Sequence, residues 1–336
     1  MNFQVLIIFA LTAISYVLSK VPAGRINPAS WMSDSLEFIG QKTLKEITLP
    51  GTHDSGAYWL GDVWMPDAGS DWPNEAAAVG QKIGKNETWV TRNFALAQDQ
   101  NLYQQLLGGI RYLDIRSGWD NTTNQWVTFH YLCGSPITEL FGNISKFMEE
   151  YKNEILVLEV SHFSGFPSHQ NIRDLRAMII EYFGEFIYPV NLSFNFTIND
   201  MIESGKTVIV TMSEEDSAPI WPGDTIYNTY ANSPIIRKMI KFNKDTVQQY
   251  MSSTWPNQIF KVSWTLTPNA QTILDSIKFL KPHTLIQLAD LGNPFLPEFW
   301  KSLKHEHYQV GNILIIDHYE QSSIMAVIYD MNGITF

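Results

Sequence analysis

The sequence predicts an α/β fold, a single (β/α)8 TIM barrel. Three observations carry this. Apolar runs of strand length alternate with helical periodicity along the chain. Roughly eight such runs fall within about 300 residues, the size and order of that barrel. Several of the runs end in ionisable side chains that share one strand face. An open doubly wound sheet is the alternative. No Gly-x-Gly-x-x-Gly or Walker sequence follows any strand, which counts against nucleotide binding in either fold.

The chain opens on MNFQVLIIFALTAISYVLSK, with an apolar stretch from Val5 to Val17 that is short for a membrane span. Val17 and Ser19 offer small-residue cleavage, so residues 1–19 read as a signal peptide and 20–336 as the mature barrel domain. The leader lacks lysine and arginine, and an uncleaved anchor or a buried helix are the other readings. No later run has the length of a membrane helix. Five Asn-x-Ser/Thr sequons, at Asn86, Asn121, Asn143, Asn191 and Asn195, agree with a secreted, extracellular glycoprotein. Cys133 is the single cysteine, which excludes an internal disulfide and any metal site built on several thiolates.

The expected strands are KEITLP (45–50), GIRYLDIR (109–116), WVTFHYL (126–132) and EILVLEVSHF (154–163). After them come KTVIVTMS (206–213), QIFKVSWTL (258–266), TLIQLAD (284–290) and NILIIDHY (312–319). Helical spacing marks 137–152, 169–183, 269–280 and 297–307. Residues 56–103 show no strand pattern and are rich in Trp, Gly, Pro and Asp. They read as a long βα loop at the mouth of the barrel. Trp59, Trp64 and Trp72 in that loop suit either a lipid-facing rim or packing within the loop.

With 23 Lys and Arg against 34 Asp and Glu, the net charge is −11. Such a chain has no general attraction for nucleic acid or anionic lipid, so a few placed cations must meet any phosphate it handles. Strand parity supplies candidates. Tyr112, Asp114 and Arg116 share a face; His130 lies with Thr128, Glu159 with Val157, and Asp317 with Ile315. His53 and Asp54 follow the first strand. A lone strand-end Asp or His is usually a cap or a hydrogen-bonded core residue. Seven ionisable groups on five strands, meeting at the carboxyl end of a barrel, are expensive to bury without a ligand. Two histidines with an arginine suit metal-free phosphoryl chemistry. One imidazole takes a proton, the other returns one, and the guanidinium holds the phosphate.

LPGTHDSG (49–56), GIRYLDIR, the strand-end His130 and the late ILIIDHY (313–319) together resemble the X-domain of phosphatidylinositol-specific phospholipases C. HF (162–163) and KVSWTLTP (261–268) extend the likeness, which runs from about Trp31 to the C-terminus. The resemblance is to the small X-domain-containing proteins and the bacterial secreted enzymes, and it implies that the barrel is a single imperfect (β/α)8 TIM barrel. It implies attack of an inositol 2-hydroxyl on phosphorus, releasing diacylglycerol and inositol 1,2-cyclic phosphate. It implies His53 as general base oriented by Asp317, and His130 as general acid supported by Asp54. Arg116 would hold the phosphate, with Asp114 and Glu159 as further substrate-binding groups. The substrate would be phosphatidylinositol or a related inositol phospholipid at a membrane surface. Family members often place Gly directly after the second histidine, whereas this chain has HYLCG (130–134).

The calcium-dependent branch of that family carries Asn after its first histidine and a carboxylate where this chain has Arg116. Here Asp54 and a fixed cation stand instead, so no metal or other cofactor is expected; a guanidinium and a divalent ion would repel at that range. Asp114 and Glu159 offer two oxygen ligands, short of the six or more that calcium prefers. A secreted barrel that binds phosphoinositide or other lipid without turnover is the second function class the sequence leaves open.

Overall fold

Parallel strands covered on both faces read as near-continuous apolar runs, and the runs of this chain build such a sheet. The computed structural model describes residues 26–66, 72–214, 218–252, 258–278, 284–306 and 312–335. The leader expected over 1–19 lies outside the described residues. In chain order the strands are β1 (Leu49–Thr52), β2 (Leu60–Trp64), β3 (Tyr112–Asp120), β4 (Gln125–His130), β5 (Leu132–Pro136) and β6 (Leu156–Ser164). They continue as β7 (Val208–Met212), β8 (Trp221–Pro222), β9 (Ile226–Thr229), β10 (Ile259–Trp264) and β11 (Ile313–Ile316).

Parallel ladders join β8, β7, β6, β3, β1, β11, β10 and β9 in that spatial order. Among the described residues no ladder closes β8 onto β9. The result is an imperfect TIM barrel, a parallel ring with one open seam. The outer half of β3 leaves the ring and pairs antiparallel with β4, β4 with β5 and β5 with β2. This ribbon lies over the carboxyl end of the ring.

Helices pack on the outside. In Ile137–Glu150 the buried Ile137, Leu140, Phe141, Ile144, Phe147 and Met148 keep the three-four spacing of one helix face. His169–Phe183 starts at a Ser168 cap, whose side chain accepts from Asn171 N, and buries Ile172, Leu175, Ile179 and Phe183. At the opposite end from the ribbon, a buried ion pair fastens the segment before β1. Arg111 donates to Glu154 Oε2 from Nε at 2.9 Å and Nη2 at 2.6 Å. Glu154 also accepts from Met32 N at 3.1 Å and Ser33 N at 2.9 Å.

Three expectations need correction. TLIQLAD (284–290) is not a strand but the helix Leu285–Gly292. Thr284 caps it, and the buried Leu285, Leu288, Ala289 and Gly292 follow helical spacing that a seven-residue window hides. WVTFHYL does form a strand, but as β4 of the ribbon rather than a stave of the ring. The staves that take these two places are the short β8 and β9, too brief to stand out as apolar runs. Finally, residues 56–103 are not one loop: they hold β2 and the helices Trp72–Ile83, Glu87–Ala95 and Leu102–Leu107.

Candidate active site

The turn after β1 is tied to β3 through its polar atoms. Ser55 N donates to Asp114 O and Asp114 N donates to Ser55 Oγ, both at 2.8 Å. Asp54 N donates to Asp114 Oδ2 at 2.9 Å, with Asp54 at φ 43°, a left-handed conformation Asp tolerates better than most residues. Gln98 Nε2 donates to His53 O and to Ile316 O at 3.0 Å each, fixing the turn against β11. The THDSG segment is therefore a turn that holds His53 at one position over the barrel mouth.

One cleft at that mouth is lined by His53, Asp114, Arg116, His130, Glu159 and Asp317, and Asp54 lies fully buried beside them. His53 Nδ1 donates to Asp317 Oδ1 at 2.8 Å, and Arg116 Nη2 donates to His53 Nε2 at 2.7 Å. A donor at Nε2 requires a lone pair there, so the two contacts specify a neutral ring with its proton on Nδ1. Burial disfavours the charged ring, as does Arg116. Asp317 and Asp114 outweigh them and raise the pKa above the ordinary histidine value, so the ring is poised to take a proton at Nε2.

The His130 ring centre lies 6.2 Å from that of His53, at an interplanar angle of 89°. Its Nδ1 donates to Ala95 O at 2.7 Å, with Asp54 Oδ2 3.1 Å away, which leaves Nε2 for substrate. Burial, Arg116 and His53 push its pKa well below the ordinary value, so it is neutral on the chain's own charges. Burial also pushes Asp54 up to about 7, against the pull of Arg116, whose Nη1 is 3.6 Å from Asp54 Oδ2. Burial alone would raise Asp114 too, yet Arg116 and Lys261 hold it well below the usual carboxylate range.

Lys261 is the residue that sequence reasoning passed over. Its ammonium, on a nearly fully buried side chain, donates to Glu159 Oε2 at 2.6 Å and to Tyr112 Oη at 2.7 Å, and Tyr112 donates to Glu159 in turn. The signal was a lysine in an otherwise apolar strand, sharing its face with Ser263. With Glu159 so engaged and two cations in the wall, Asp114 and Glu159 make a poor seat for a divalent ion. Among the described residues, no three His, Cys, Asp or Glu side chains of this cleft bring ligand atoms within 4.8 Å of one another.

No family model matches the chain. It is 28% identical over 260 residues to PI-PLC X domain-containing protein 2 of Mus musculus, covering 75% of this chain and 73% of that protein. It is 21% identical over 309 residues to PI-PLC X domain-containing protein 3 of Bos taurus, covering 90% and 93%. In structure it matches the phosphatidylinositol-specific phospholipase C of Listeria monocytogenes with a TM-score of 0.61 at 19% identity, covering 93% of this chain and 100% of that one. Over most of its length the chain is similar to the PI-PLC X domain-containing proteins, and it shares the barrel fold of the bacterial phospholipase C. A further relative is the variant-surface-glycoprotein phospholipase C of Trypanosoma brucei brucei, 24% identical over 202 residues, 55% of this chain and 53% of that protein.

Within this X-domain-like barrel, Trp72 lines the cleft and stacks on Tyr131 at 5.5 Å, whereas Trp59 is exposed and Trp64 half-buried. Among the described residues no helix is long and apolar enough to cross a membrane. Four sequon asparagines, Asn86, Asn121, Asn191 and Asn195, are exposed. Asn143 instead sits half-buried inside a helix, its Nδ2 donating to Glu139 O at 2.9 Å.

Proposed function

We propose that this chain is a metal-free phosphodiesterase that cleaves phosphatidylinositol or a related inositol phospholipid. The observation that carries the reading is one imidazole held between Asp317 and Arg116, with a second imidazole facing it across the cleft. The phosphate draws the Arg116 guanidinium onto its non-bridging oxygens, which frees His53 Nε2. His53 then takes the proton of the inositol 2-hydroxyl as that oxygen bonds to phosphorus. The bond from phosphorus to the glycerol oxygen breaks, and His130 Nε2 protonates the departing oxygen. His130 acquires its proton with the substrate, because a bound anion reverses the positive surroundings that keep it neutral. Asp317 holds the His53 tautomer and balances the imidazolium. Asp54, beside both His130 and Arg116, sets their spacing, and Asp114 anchors Asp54.

On this reading Glu159 accepts from an inositol hydroxyl with the oxygen Lys261 leaves free, and no cofactor takes part. The chain works as one barrel over residues 20–336, outside the cell, after loss of residues 1–19, and meets its lipid at a membrane surface. The exposed sequons carry its glycans.

Phosphatidylinositol micelles with the purified chain, followed by phosphorus NMR, test the reading. Inositol 1,2-cyclic phosphate is the expected product. Binding of the lipid with no cyclic phosphate formed would overturn it in favour of a non-catalytic lipid-binding barrel.

A further inference from the structure

Directly after Asp317 the chain builds a second constellation that does not line the cleft. His318 sits at φ 49°, and its side chain is only 9% exposed. Its Nδ1 donates to Asp290 Oδ1 at 2.7 Å, which leaves Nε2 facing two further carboxylates. Nε2 stands 3.5 Å from Asp99 Oδ2 and 3.7 Å from Glu320 Oε1 and takes no hydrogen bond among the described residues. Nearest ligand atoms of Asp99, His318 and Glu320 all lie within 4.8 Å of one another. Two ligands about 2.1 Å from a common tetrahedral ion stand roughly 3.4 Å apart. The other Glu320 oxygen, Oε2, is buried without a hydrogen-bond partner. Asp99, Asp290 and Glu320 set three carboxylates around one imidazole, and a divalent cation would offset their negative charge.

We propose that Asp99, His318 and Glu320 bind a divalent transition-metal ion of the zinc type, with Asp290 orienting the imidazole. A carboxylate on the far nitrogen of a ligating histidine is the usual support for such a ligand. The imidazole donor favours a zinc-like ion over calcium or magnesium, which take oxygen ligands. The half-exposed side of Asp99 leaves a coordination position for water. The ion would staple two separate pieces of chain, the segment before helix Leu102–Leu107 and the turn after β11, and Asp290 ties the helix Leu285–Gly292 to them through His318. That turn also carries Asp317, so the site braces the cleft from outside without entering it.

The test titrates the chelator-stripped full-length chain with zinc alone and counts bound metal by mass spectrometry after desalting. One equivalent is expected. Asp99→Asn and Glu320→Gln should each weaken binding tenfold or more, and Asp290→Asn by about 10–100-fold. His53→Ala should leave the stoichiometry at one, since the cleft imidazoles are the competing ligands. Asp99→Asn changes an exposed side chain, so it decides the matter should Glu320→Gln fail to fold. No zinc uptake, zinc uptake unchanged in Asp99→Asn, or uptake lost in His53→Ala would each overturn the assignment.

Discussion

Replacing Asp317 by asparagine removes one negative charge while keeping the side-chain shape, and the geometry around His53 makes the outcome calculable. If the new amide turns its NH2 toward His53 Nδ1, the ring proton moves to Nε2. There it meets the Arg116 Nη2 donor 2.7 Å away, so two N–H groups face each other. If the amide turns its oxygen toward His53, the tautomer survives. The NH2 then occupies the place of Asp317 Oδ2, a buried atom with no hydrogen-bond partner. An unsatisfied buried donor costs about 1–3 kcal/mol. Neither orientation offers a charge to balance the imidazolium that forms during the reaction. Loss of the equivalent carboxylate in a serine-protease triad lowers kcat about 10⁴-fold, and a fall of about 10³–10⁴ is expected here, on the order of 4–5.5 kcal/mol. The KM for phosphatidylinositol should move little. The pH profile gives an independent sign. Asp317 raises the pKa of His53, and a general base must be neutral, so activity rises with pH through that pKa. Without the charge the acid limb of kcat/KM should move to lower pH. A folded variant within tenfold of the wild-type kcat, or a limb displaced to higher pH, would refute the reasoning.

Four further outcomes are expected. Arg116→Lys keeps a charge but loses the planar fork that spans His53, Asp54 and two phosphate oxygens; kcat/KM should fall about 10²–10³-fold. Calcium returned to chelator-treated wild-type protein should not raise its activity, and recovery on calcium would make Asp114 and Glu159 metal ligands instead. Glu154→Gln leaves Arg111, a fully buried side chain, without its counter-charge. Breaking such a pair costs about 3–5 kcal/mol, a melting temperature lower by on the order of 10 °C, and an unchanged melting temperature would show that the pair is not what fastens the N-terminal segment. Expression in a secretory cell should yield a chain that begins near Lys20 and runs lower on a gel after glycosidase treatment; an intact N-terminus and an unshifted band would remove the secretion reading.

The long runs were the legible part of the fold. NILIIDHY and EILVLEVSHF are apolar on both faces because both faces are covered, and they become β11 and β6. What could not be read was pairing direction. GIRYLDIR and WVTFHYL look alike as strings, but only long-range packing decides that the first is a stave and the second folds back on it. Short elements were also hidden: Trp221–Pro222 and Ile226–Thr229 have too few residues to show a period. Asp114, Arg116, His130, Glu159 and Asp317 were readable from strand parity, since alternation survives small shifts of strand ends, and His53 and Asp54 from their place after the first strand. Lys261 was missed because a single lysine in an apolar run is ordinarily a surface residue on a strand edge. Its meaning lies in Glu159 and Tyr112, which the sequence places far away. The Asp99, Asp290, His318 and Glu320 cluster was beyond reach for the same reason: its members come from three unconnected stretches.

The excursion of β3 out of the ring has a consequence of its own. Its inner half, in register with β1 and β6, supplies Asp114 and Arg116, while its outer half starts the ribbon that returns with His130. The two imidazoles thus ride on separate pieces of architecture, one seated on the staves and one on an arm hinged to them. His130 stands near the root of that arm, two residues past Thr128, which pairs with Ser117, so the ladder at that point sets the gap between the two rings. On the proposed reaction, a change of register at the Ser117–Thr128 end of that ladder would refit the gap to a bulkier or smaller leaving group while β1 and β11 keep their pairing.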